Sequence, residues 1–381
     1  MEALFEGFLN LHWKMFIMYA VGGILIFLAV KKDYEPMLLL PIGFGAILVN
    51  LPFAAVWEYG GDKGVLRILF DMGIMTELFP VLIFLAVGAM IDFTPLLNMP
   101  KMLFLGAAAQ FGIFATAVVV AWFGTMFPEL GLDLKAAASI GIIGAADGPT
   151  SIFVSARFAP QFLGAITVAA YSYMSLVPII QPPVIRLLTT KQERMMRMTY
   201  TQKEISKTTL ILFPLLVTVI AGIIAPICVP LVGLLMFGNL IRECGVLERL
   251  SKAAQNELAN IVTLLLGITI GSTMHFEKFL QPVTLLILGL GLIAFIFDTA
   301  GGVLFVKLLN LFSKNKINPM CGAAGISAFP MSARVMQRMA TKEDPQNFIL
   351  MQAISANVAG QVASAMAGGI VLALVPRIMG L

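Results

Sequence analysis

Charged side chains are scarce in this 381-residue sequence, because aspartate, glutamate, lysine and arginine together make up 12% of it while 59% is hydrophobic. A soluble domain carries about 25% charged residues, so this chain has too little polar surface to cover a water-exposed globule. The scarcity excludes a soluble catalyst. The length then predicts about ten membrane-spanning helices of ~20 residues with short loops. The net charge of +4 does not indicate nucleic acid binding, because the basic residues fall in the predicted loops.

Cysteine and histidine are also rare. The three cysteines, Cys228, Cys244 and Cys321, lie far apart and match neither a zinc site nor a disulfide framework. The two histidines, His12 and His275, fall at predicted loops or interfaces. We therefore expect the cysteines to be small apolar packing residues, and we expect histidine chemistry to play no part in function.

Apolar stretches alternate with polar, proline or glycine breaks and predict a series of membrane helices. The first one ends in two lysines rather than in a small-residue cleavage site, so we expect it to be retained. The predicted helices cover residues 14–31, 37–56, 75–91, 102–126, 162–182, 209–225, 228–241, 258–274, 282–310 and 347–373. Two further stretches, 136–157 and 318–338, are rich in glycine, alanine and serine and are predicted to break in the middle.

The loop 186–207 carries six basic residues against two acidic ones, which predicts that it is cytoplasmic. Lysine and arginine in the other loops agree with this orientation on one condition. Stretch 136–157 must enter the membrane from outside and return, and stretch 318–338 must enter from inside and return.

The two halves of the chain resemble each other. The segment GAADGPTSIFVSAR, which begins at Gly144, matches GAAGISAFPMSAR, which begins at Gly322, with one gap. The same repeat aligns Tyr171 with Asn357; it also aligns Gly45 with Gly238 and Phe93 with Phe276. Close packing of small residues would explain one such stretch, but two at matching places indicate the inverted repeats of ion-coupled transporters.

The predicted fold is therefore an all-α polytopic membrane protein with inverted structural repeats, broken or re-entrant helices, and a transporter-like core plus scaffold. The predicted divisions are an N-terminal segment with the first helix (1–34), a first repeat (35–185), a basic cytoplasmic loop (186–208), a linking helix (209–227) and a second repeat (228–381).

Asp147 is the clearest candidate for chemistry. It lies in a stretch expected at membrane depth, where a carboxylate is costly unless it is paired or binds an ion. Gly148 and Pro149 follow it and break the helix. The hydroxyls of Thr150 and Ser151 would then complete an all-oxygen site suited to Na⁺ or H⁺ rather than to zinc or copper. The alternative is an aspartate that caps a helix at the membrane surface.

Other polar residues at predicted membrane depth form a secondary group. Tyr171 and Tyr173 lie within one helix, where they serve either as site residues or as packed aromatics. Three roles are open for Arg334: it could bind a carboxylate or bicarbonate, it could repel sodium, or it could anchor a loop. The second broken stretch also carries Asn318, Ser327 and Ser332.

Four further features are expected to be structural. Glu77 and Asp298 are interpreted as surface or capping groups near helix ends. The segments 181–183 and 367–369 are interpreted as helix breaks that shape a cavity.

The motif GIIGAADGPTSI, at 141–152, resembles the β subunits of the sodium-translocating biotin-dependent decarboxylases, which act on oxaloacetate, methylmalonyl-CoA, glutaconyl-CoA or malonate. The resemblance runs from about residue 35 to the end of the chain. It includes the segments AYSYM at 170–174, QPP at 181–183, FGNL at 237–240 and SKNKINP at 313–319.

This resemblance implies a prokaryotic cytoplasmic-membrane subunit that decarboxylates carboxybiotin, takes up a proton from outside and moves Na⁺ outward. Carboxybiotin would be supplied by a partner and not held covalently here. The implied partners are a biotin carrier subunit, a carboxyltransferase subunit, a small γ/δ membrane subunit and further copies of the chain.

The resemblance also implies residue roles. The implied sodium ligands are Asp147, Tyr171, Asn318, Ser327 and Asn357. The implied catalytic residues are Tyr171, Tyr173, Ser327 and Arg334, and those implied to contact carboxybiotin are Asn318, Gly322 and Arg334.

A short linker at 57–74, where oxaloacetate-type members carry a longer insert, favours an acyl-CoA substrate for the complex. Two alternatives stay open from the sequence. One is a stand-alone transporter of the Na⁺/H⁺ exchanger type, and the other is an inert membrane anchor for a soluble enzyme.

Overall fold

The structure, a computed structural model, describes residues 7–32, 35–201 and 203–380. Within these ranges the regular secondary structure is helical apart from one short hairpin, in which β1 (Glu58–Tyr59) pairs with β2 (Asp62–Lys63). Eight helical segments are long and apolar enough to cross a membrane. There are nine if the bent pair Val65–Ile74 and Leu78–Met90 forms one span. The predicted all-helical, multi-pass fold is confirmed.

The α-helices of the described chain are numbered in order. They are α1 (Trp13–Lys32), α2 (Pro36–Val49), α3 (Val65–Leu69), α4 (Leu78–Met90), α5 (Thr94–Asn98), α6 (Met102–Ala109), α7 (Phe111–Met126), α8 (Leu134–Gly141), α9 (Gly148–Phe158), α10 (Leu163–Leu188), α11 (Lys191–Arg194), α12 (Lys207–Ile224), α13 (Val229–Glu243), α14 (Glu248–Ala253), α15 (Ala259–Gly271), α16 (Phe276–Phe279), α17 (Pro282–Phe312), α18 (Met320–Ala323), α19 (Met331–Glu343) and α20 (Leu350–Ile378). Short 3₁₀ segments cover Pro52–Ala54, Pro128–Leu130, Ile142–Ala145, Pro160–Phe162 and Pro226–Cys228, and π turns cover Phe70–Ile74 and Ala254–Leu258.

Some predicted helix ends are wrong. The helix predicted to reach residue 56 stops at Val49, because Pro52 follows and Phe53 and Ala54 adopt positive φ angles of 64° and 39°. The breaks predicted at 181–183 and 367–369 are absent, since α10 continues to Leu188 and α20 to Ile378. Prolines are tolerated in membrane helices where neighbouring groups satisfy the freed carbonyls.

The glycines at 368 and 369 serve close packing instead of a break. A Cβ atom on Gly369 would lie 2.5 Å from the Cβ of Cys228, and one on Gly368 would lie 2.7 Å from the methyl group of Thr150.

Two glycine contacts show how the halves are arranged. Helix α2 crosses α15 where Gly45 lies against Gly271. Helix α13 crosses α4 where Gly238 lies next to Gly88. None of these four positions has room for a side chain. Gly45 and Gly238 are equivalent in the repeat, and Gly88 and Gly271 each lie five residues before their aligned phenylalanines. The same helix crossing therefore occurs twice with the halves exchanged, as expected for a pseudo-two-fold arrangement.

Both ends of the second broken stretch lie against the basic loop. At its start, the amide of Asn318 donates to the carbonyls of Arg194 (3.1 Å) and Met196 (2.9 Å). At its end, Arg194 pairs with Glu343 at 2.9 Å and Arg197 pairs with Asp344 at 2.7 Å. This stretch therefore enters and leaves on one face.

The first broken stretch enters and leaves on the opposite face. Leu132 before it and Ala159 after it belong to one apolar cluster with Ile166, near the start of α10. Helix α10 has 26 residues, which corresponds to ~39 Å at 1.5 Å per residue, and its last residue, Leu188, contacts Lys307 beside the basic loop. The two stretches thus approach each other from opposite sides. Their tips meet where the Ser327 amide donates to the Ala145 carbonyl at 2.9 Å.

Candidate functional site

Asp147 lies at the break of the first stretch. Ala146 adopts a left-handed conformation (φ 50°), Asp147 is extended, and α9 begins directly afterwards. The carboxylate accepts hydrogen bonds from the Thr150 amide (3.3 Å) and the Thr150 hydroxyl (2.6 Å). Asp147 is therefore a helix cap, as the alternative interpretation held, but it is 5% exposed rather than at the surface.

The second half of the chain completes the surroundings of this carboxylate. Ser327, in the second broken stretch, donates to Oδ2 of Asp147 at 3.3 Å, and Ser364 of α20 donates to the same oxygen at 2.6 Å. The two serine hydroxyls lie 3.0 Å apart. Three hydroxyls from two half-chains thus converge on one buried carboxylate.

Sequence reasoning missed Ser364. A signal for it exists, because Asn357, Gln361 and Ser364 are spaced four and three residues apart and so share one helix face. The other two side chains on this face hold the tip of the second stretch. The amide of Asn357 donates to the Ile326 carbonyl at 2.6 Å, and that of Gln361 donates to the Ser327 carbonyl.

Tyr171 stands beside the same carboxylate. Its ring packs so closely on Gly148 that no side chain fits there, and its buried hydroxyl has no hydrogen-bond partner among the residues the structure describes. The Oδ1 atom of Asn357 is likewise buried and unpartnered within that part of the chain. Tyr173 points elsewhere and donates to the Leu288 carbonyl of α17.

A cavity of about 360 Å³ reaches Asp147, Tyr171 and Ser327. Its lining continues along α4 to Met90, whose carbonyl accepts a hydrogen bond from Arg242 at 2.6 Å. A larger cavity of about 660 Å³ lies between residues 160–165 and 272–284 near the start of α10, and its lining includes no carboxylate. Of these two cavities, only the smaller one is lined by a carboxylate.

Three residues implied by the resemblance lie away from Asp147. Asn318 caps the start of α18 by accepting from the Met320 amide at 3.0 Å, in addition to binding the basic loop. Gly322 packs on Gly302 of α17. Arg334 is exposed on α19, one turn beyond Pro330, which lines the smaller cavity.

Comparison with known proteins shows a family match over most of the chain. Residues 14–375 match the family model described as the Na⁺-transporting oxaloacetate decarboxylase beta subunit. The chain belongs to this family. The match covers both broken stretches and every candidate site residue, so the resemblance read from the motifs is confirmed.

Relatives in the family are similar over nearly their whole length. The chain is 47% identical to the methylmalonyl-CoA decarboxylase subunit beta of Propionigenium modestum, with 97% of this chain and 96% of the relative covered. It is 48% identical to the glutaconyl-CoA decarboxylase subunit beta of Acidaminococcus fermentans, with 97% and 96% covered. It is 44% identical to the oxaloacetate decarboxylase beta chain of Klebsiella pneumoniae, with 96% of each covered.

The donor set around Asp147 suits the ion that this family transports. It consists of one carboxylate and three hydroxyls, which are hard oxygen donors of the kind preferred by alkali and alkaline-earth cations rather than by zinc or copper. Within residues 7–32, 35–201 and 203–380, no three histidine, cysteine or acidic residues form a metal-binding group.

Gln181 has a role that its sequence position concealed. The prediction that it ends a helix is wrong, because it lies within α10 and bridges the gap in the second broken stretch. Its amide donates to the Ala323 carbonyl at 2.9 Å and accepts from the Ser332 hydroxyl at 2.9 Å. Gln181 thereby joins the two arms of that stretch.

Of the two acids interpreted as surface or capping groups near helix ends, only Glu77 lies at the end of its own helix. It occupies the N-cap position of α4 and pairs with Arg157, whose Nη2 lies 2.9 Å from Oε2. The interpretation of Asp298 is wrong. Asp298 is fully buried within α17, where its Oδ1 accepts from the Ile113 amide at 3.1 Å. This amide, in the first turn of α7, also donates to the Gln110 carbonyl at 3.2 Å, so Asp298 shares a backbone donor inside the membrane.

Proposed function

We propose that this β subunit decarboxylates carboxybiotin presented by a biotin carrier subunit and couples the reaction to outward Na⁺ transport and proton uptake. The observation that supports it is the buried Asp147 carboxylate, on which hydroxyls of both half-chains converge. No lysine, arginine or histidine of the described chain pairs with it. A buried charge of this kind is stabilised by a bound cation or by a proton.

Sodium is the transported substrate of this site. Asp147 neutralises its charge, and the hydroxyl oxygens of Thr150, Ser327 and Ser364 replace part of its hydration. Tyr171 and Asn357 supply further oxygens, since the hydroxyl of the first and Oδ1 of the second are buried without a partner in the described structure. Neither the Tyr171 hydroxyl oxygen nor Oδ1 of Asn357 accepts a hydrogen bond that a cation would have to displace.

Carboxybiotin enters by the cavity that leads from Met90 to Asp147. Arg334, one turn from the cavity-lining Pro330, binds its carboxylate through charge-assisted hydrogen bonds. Loss of CO₂ leaves a negative charge on the biotin nitrogen, and a proton must reach that nitrogen. Tyr171, Tyr173 and Ser327 are the hydroxyls proposed to convey it. Asn318 and Gly322 shape the second broken stretch beneath the carrier.

Transport requires that Asp147 become accessible first from one side of the membrane and then from the other. The lining of the smaller cavity extends to Met90 at the end of α4, and the proposed opening is on the side where the second stretch enters. A ligand shifts such an equilibrium only by its differential affinity for the two states. Exchange of Na⁺ for a proton at the site provides that difference.

The alignments favour an acyl-CoA substrate for the complex. The alignment with the Acidaminococcus relative spans 370 residues, whereas that with the Klebsiella relative spans 421. Both cover 96–97% of this chain, so the oxaloacetate-type relative carries additional residues. The 57–74 segment is the proposed place of these additional residues.

The basic loop is the proposed contact for the soluble partners. An ion pair anchors this loop at the end of α19, because the Arg197 guanidinium donates a hydrogen bond to the Asp344 carboxylate. The same contact holds the pKa of Asp344 below its usual value. The proposed assembly contains the carrier, a carboxyltransferase, a small membrane subunit and further copies of this chain.

The test uses the assembled complex, isolated through this chain and reconstituted in vesicles. We expect a biotinylated subunit to copurify with this chain. We also expect decarboxylation to depend on Na⁺ and to drive ²²Na⁺ uptake into inverted vesicles. A stand-alone Na⁺/H⁺ exchanger would instead transport without carboxybiotin and without a biotinylated partner. An inert anchor would retain full Na⁺-dependent decarboxylation after Asp147→Asn.

A further inference from the structure

We propose that Asp298 is a buried proton-binding site whose occupancy changes when the first broken stretch moves. This inference rests on the proposed function, because it gives the coupled proton a location. Asp298 belongs to α17 and is not part of the Asp147 cluster.

The geometry of the two carboxyl oxygens carries the proposal. Oδ1 accepts a hydrogen bond from the Ile113 amide at 3.1 Å, in the first turn of α7, and this amide is shared with the Gln110 carbonyl at 3.2 Å. Oδ2 is buried and has no hydrogen-bond partner among the described residues. An ionised carboxylate with one oxygen that lacks a hydrogen-bond partner is strongly disfavoured in the interior of a membrane protein. A proton on Oδ2 removes that cost.

The first broken stretch covers Oδ2 of Asp298 and so links this acid to the ion site. A Cβ atom on Gly144 would lie 2.6 Å from Oδ2, so the backbone of the first stretch presses on this oxygen. Gly144 precedes Asp147 by three residues. A movement of this tip that changes access to Asp147 also uncovers Oδ2, and water takes its place. The acid then transfers its proton to that water and becomes a carboxylate.

The neighbours of Asp298 carry no charge that would hold it ionised. The elements packed against it contribute Gly112 and Ile113 of α7, Gly144 of the tip, and Ala294 of its own helix. The nearest ionisable group along the tip is Asp147, which is acidic and favours a neutral Asp298. No described lysine, arginine or histidine forms an ion pair with Asp298.

The matched variants are Asp298→Asn and Asp298→Ala in the assembled complex. Asparagine keeps an oxygen to accept the Ile113 amide but cannot exchange a proton, whereas alanine loses both. If Asp298 is only a structural cap, asparagine should behave like the wild type and alanine should not.

The first readout is the infrared carbonyl band of a protonated carboxylic acid at saturating Na⁺, measured as the difference between wild type and Asp298→Asn. We expect the band to be lost in Asp298→Asn and retained in Asp147→Asn. The second readout is turnover, expected to fall about 10²-fold in Asp298→Asn, the scale of a lost proton-transfer group, with the Na⁺ half-saturation unchanged.

Two results would overturn the proposal: an acid band that persists in Asp298→Asn, or wild-type turnover in that variant. Absence of Na⁺-dependent decarboxylation in the wild type would instead refute the proposed function, and the infrared result would still decide the charge of Asp298. If Asp298→Asn does not assemble, Gly144→Ala provides the second test. Its methyl group meets Oδ2 and should shift the acid band, and an unshifted band would count against the proposal.

Discussion

Replacing Ser364 with alanine tests whether the hydroxyls around Asp147 bind the transported ion. The hydroxyl of Ser364 donates to Asp147 at 2.6 Å, and a hydrogen bond to a charged group contributes about 1.5–3 kcal/mol. At 1.4 kcal/mol per tenfold change, the Na⁺ half-saturation concentration should rise about 10- to 150-fold. The direction follows because the ion loses one ligand, and the carboxylate loses a donor that stabilises its charged form.

The assay is Na⁺-dependent decarboxylation by the purified complex, paired with ²²Na⁺ uptake into vesicles. Turnover at saturating Na⁺ should stay near the wild-type value, because Ser364 positions the ion and does not touch biotin. Ser355→Ala is the matched control, since it lies on the same helix, is also buried and has a hydroxyl without a hydrogen-bond partner in the described chain. An unchanged half-saturation in Ser364→Ala, or an equal shift in both variants, would refute the reasoning.

Three further predictions address the site, the helix crossing and the loop. Asp147→Asn should abolish Na⁺ stimulation and ²²Na⁺ uptake while carboxyl transfer to the biotin carrier continues, because the amide cannot neutralise a cation. Gly88→Ala should lower the free energy of unfolding by about 1–3 kcal/mol, the scale of overpacking, because its Cβ would collide with the Leu235 carbonyl; thermal denaturation of the complex measures this. Arg194→Gln should speed tryptic cleavage of the 186–207 loop, because it removes an anchor of that loop to α19.

Each of these predictions has its own control. Gly289→Ala should leave thermal stability unchanged, since nothing lies within 4 Å of its added Cβ; a loss equal to that of Gly88→Ala would contradict the packing explanation. Residual decarboxylation-driven ²²Na⁺ uptake in Asp147→Asn would contradict the assignment of this acid to the ion site. For the loop, Arg186→Gln is the comparison, and equal cleavage rates in the two variants would show that the ion pair does not anchor it.

How far the sequence predicts this site depends on how local each signal is. Asp147 could be found because an acid followed by Gly148 and Pro149 in an apolar stretch marks a helix break at membrane depth without reference to the rest of the chain. Ser327 could be found because the internal repeat places it at the corresponding break. Ser364 was missed because its partner carboxylate lies 217 residues away in the sequence.

The errors have the same origin. Asp298 was interpreted from the sequence as a surface or capping group near a helix end, whereas it lies buried within α17. The amide that makes its burial tolerable comes from Ile113, 185 residues away. Gln181 likewise resembled a helix end because two prolines follow it, whereas its partners lie in the second broken stretch.

The sequence by itself determined that the chain enters the membrane and where its backbone must break, because hydropathy and the conformational limits of glycine and proline act over a few residues. It also determined the family, since the motifs are long. Only the tertiary structure decided which hydroxyls surround Asp147 and which acid is buried behind it. Those neighbours are brought together when two broken stretches cross from opposite faces, and the packing of distant helices sets that crossing.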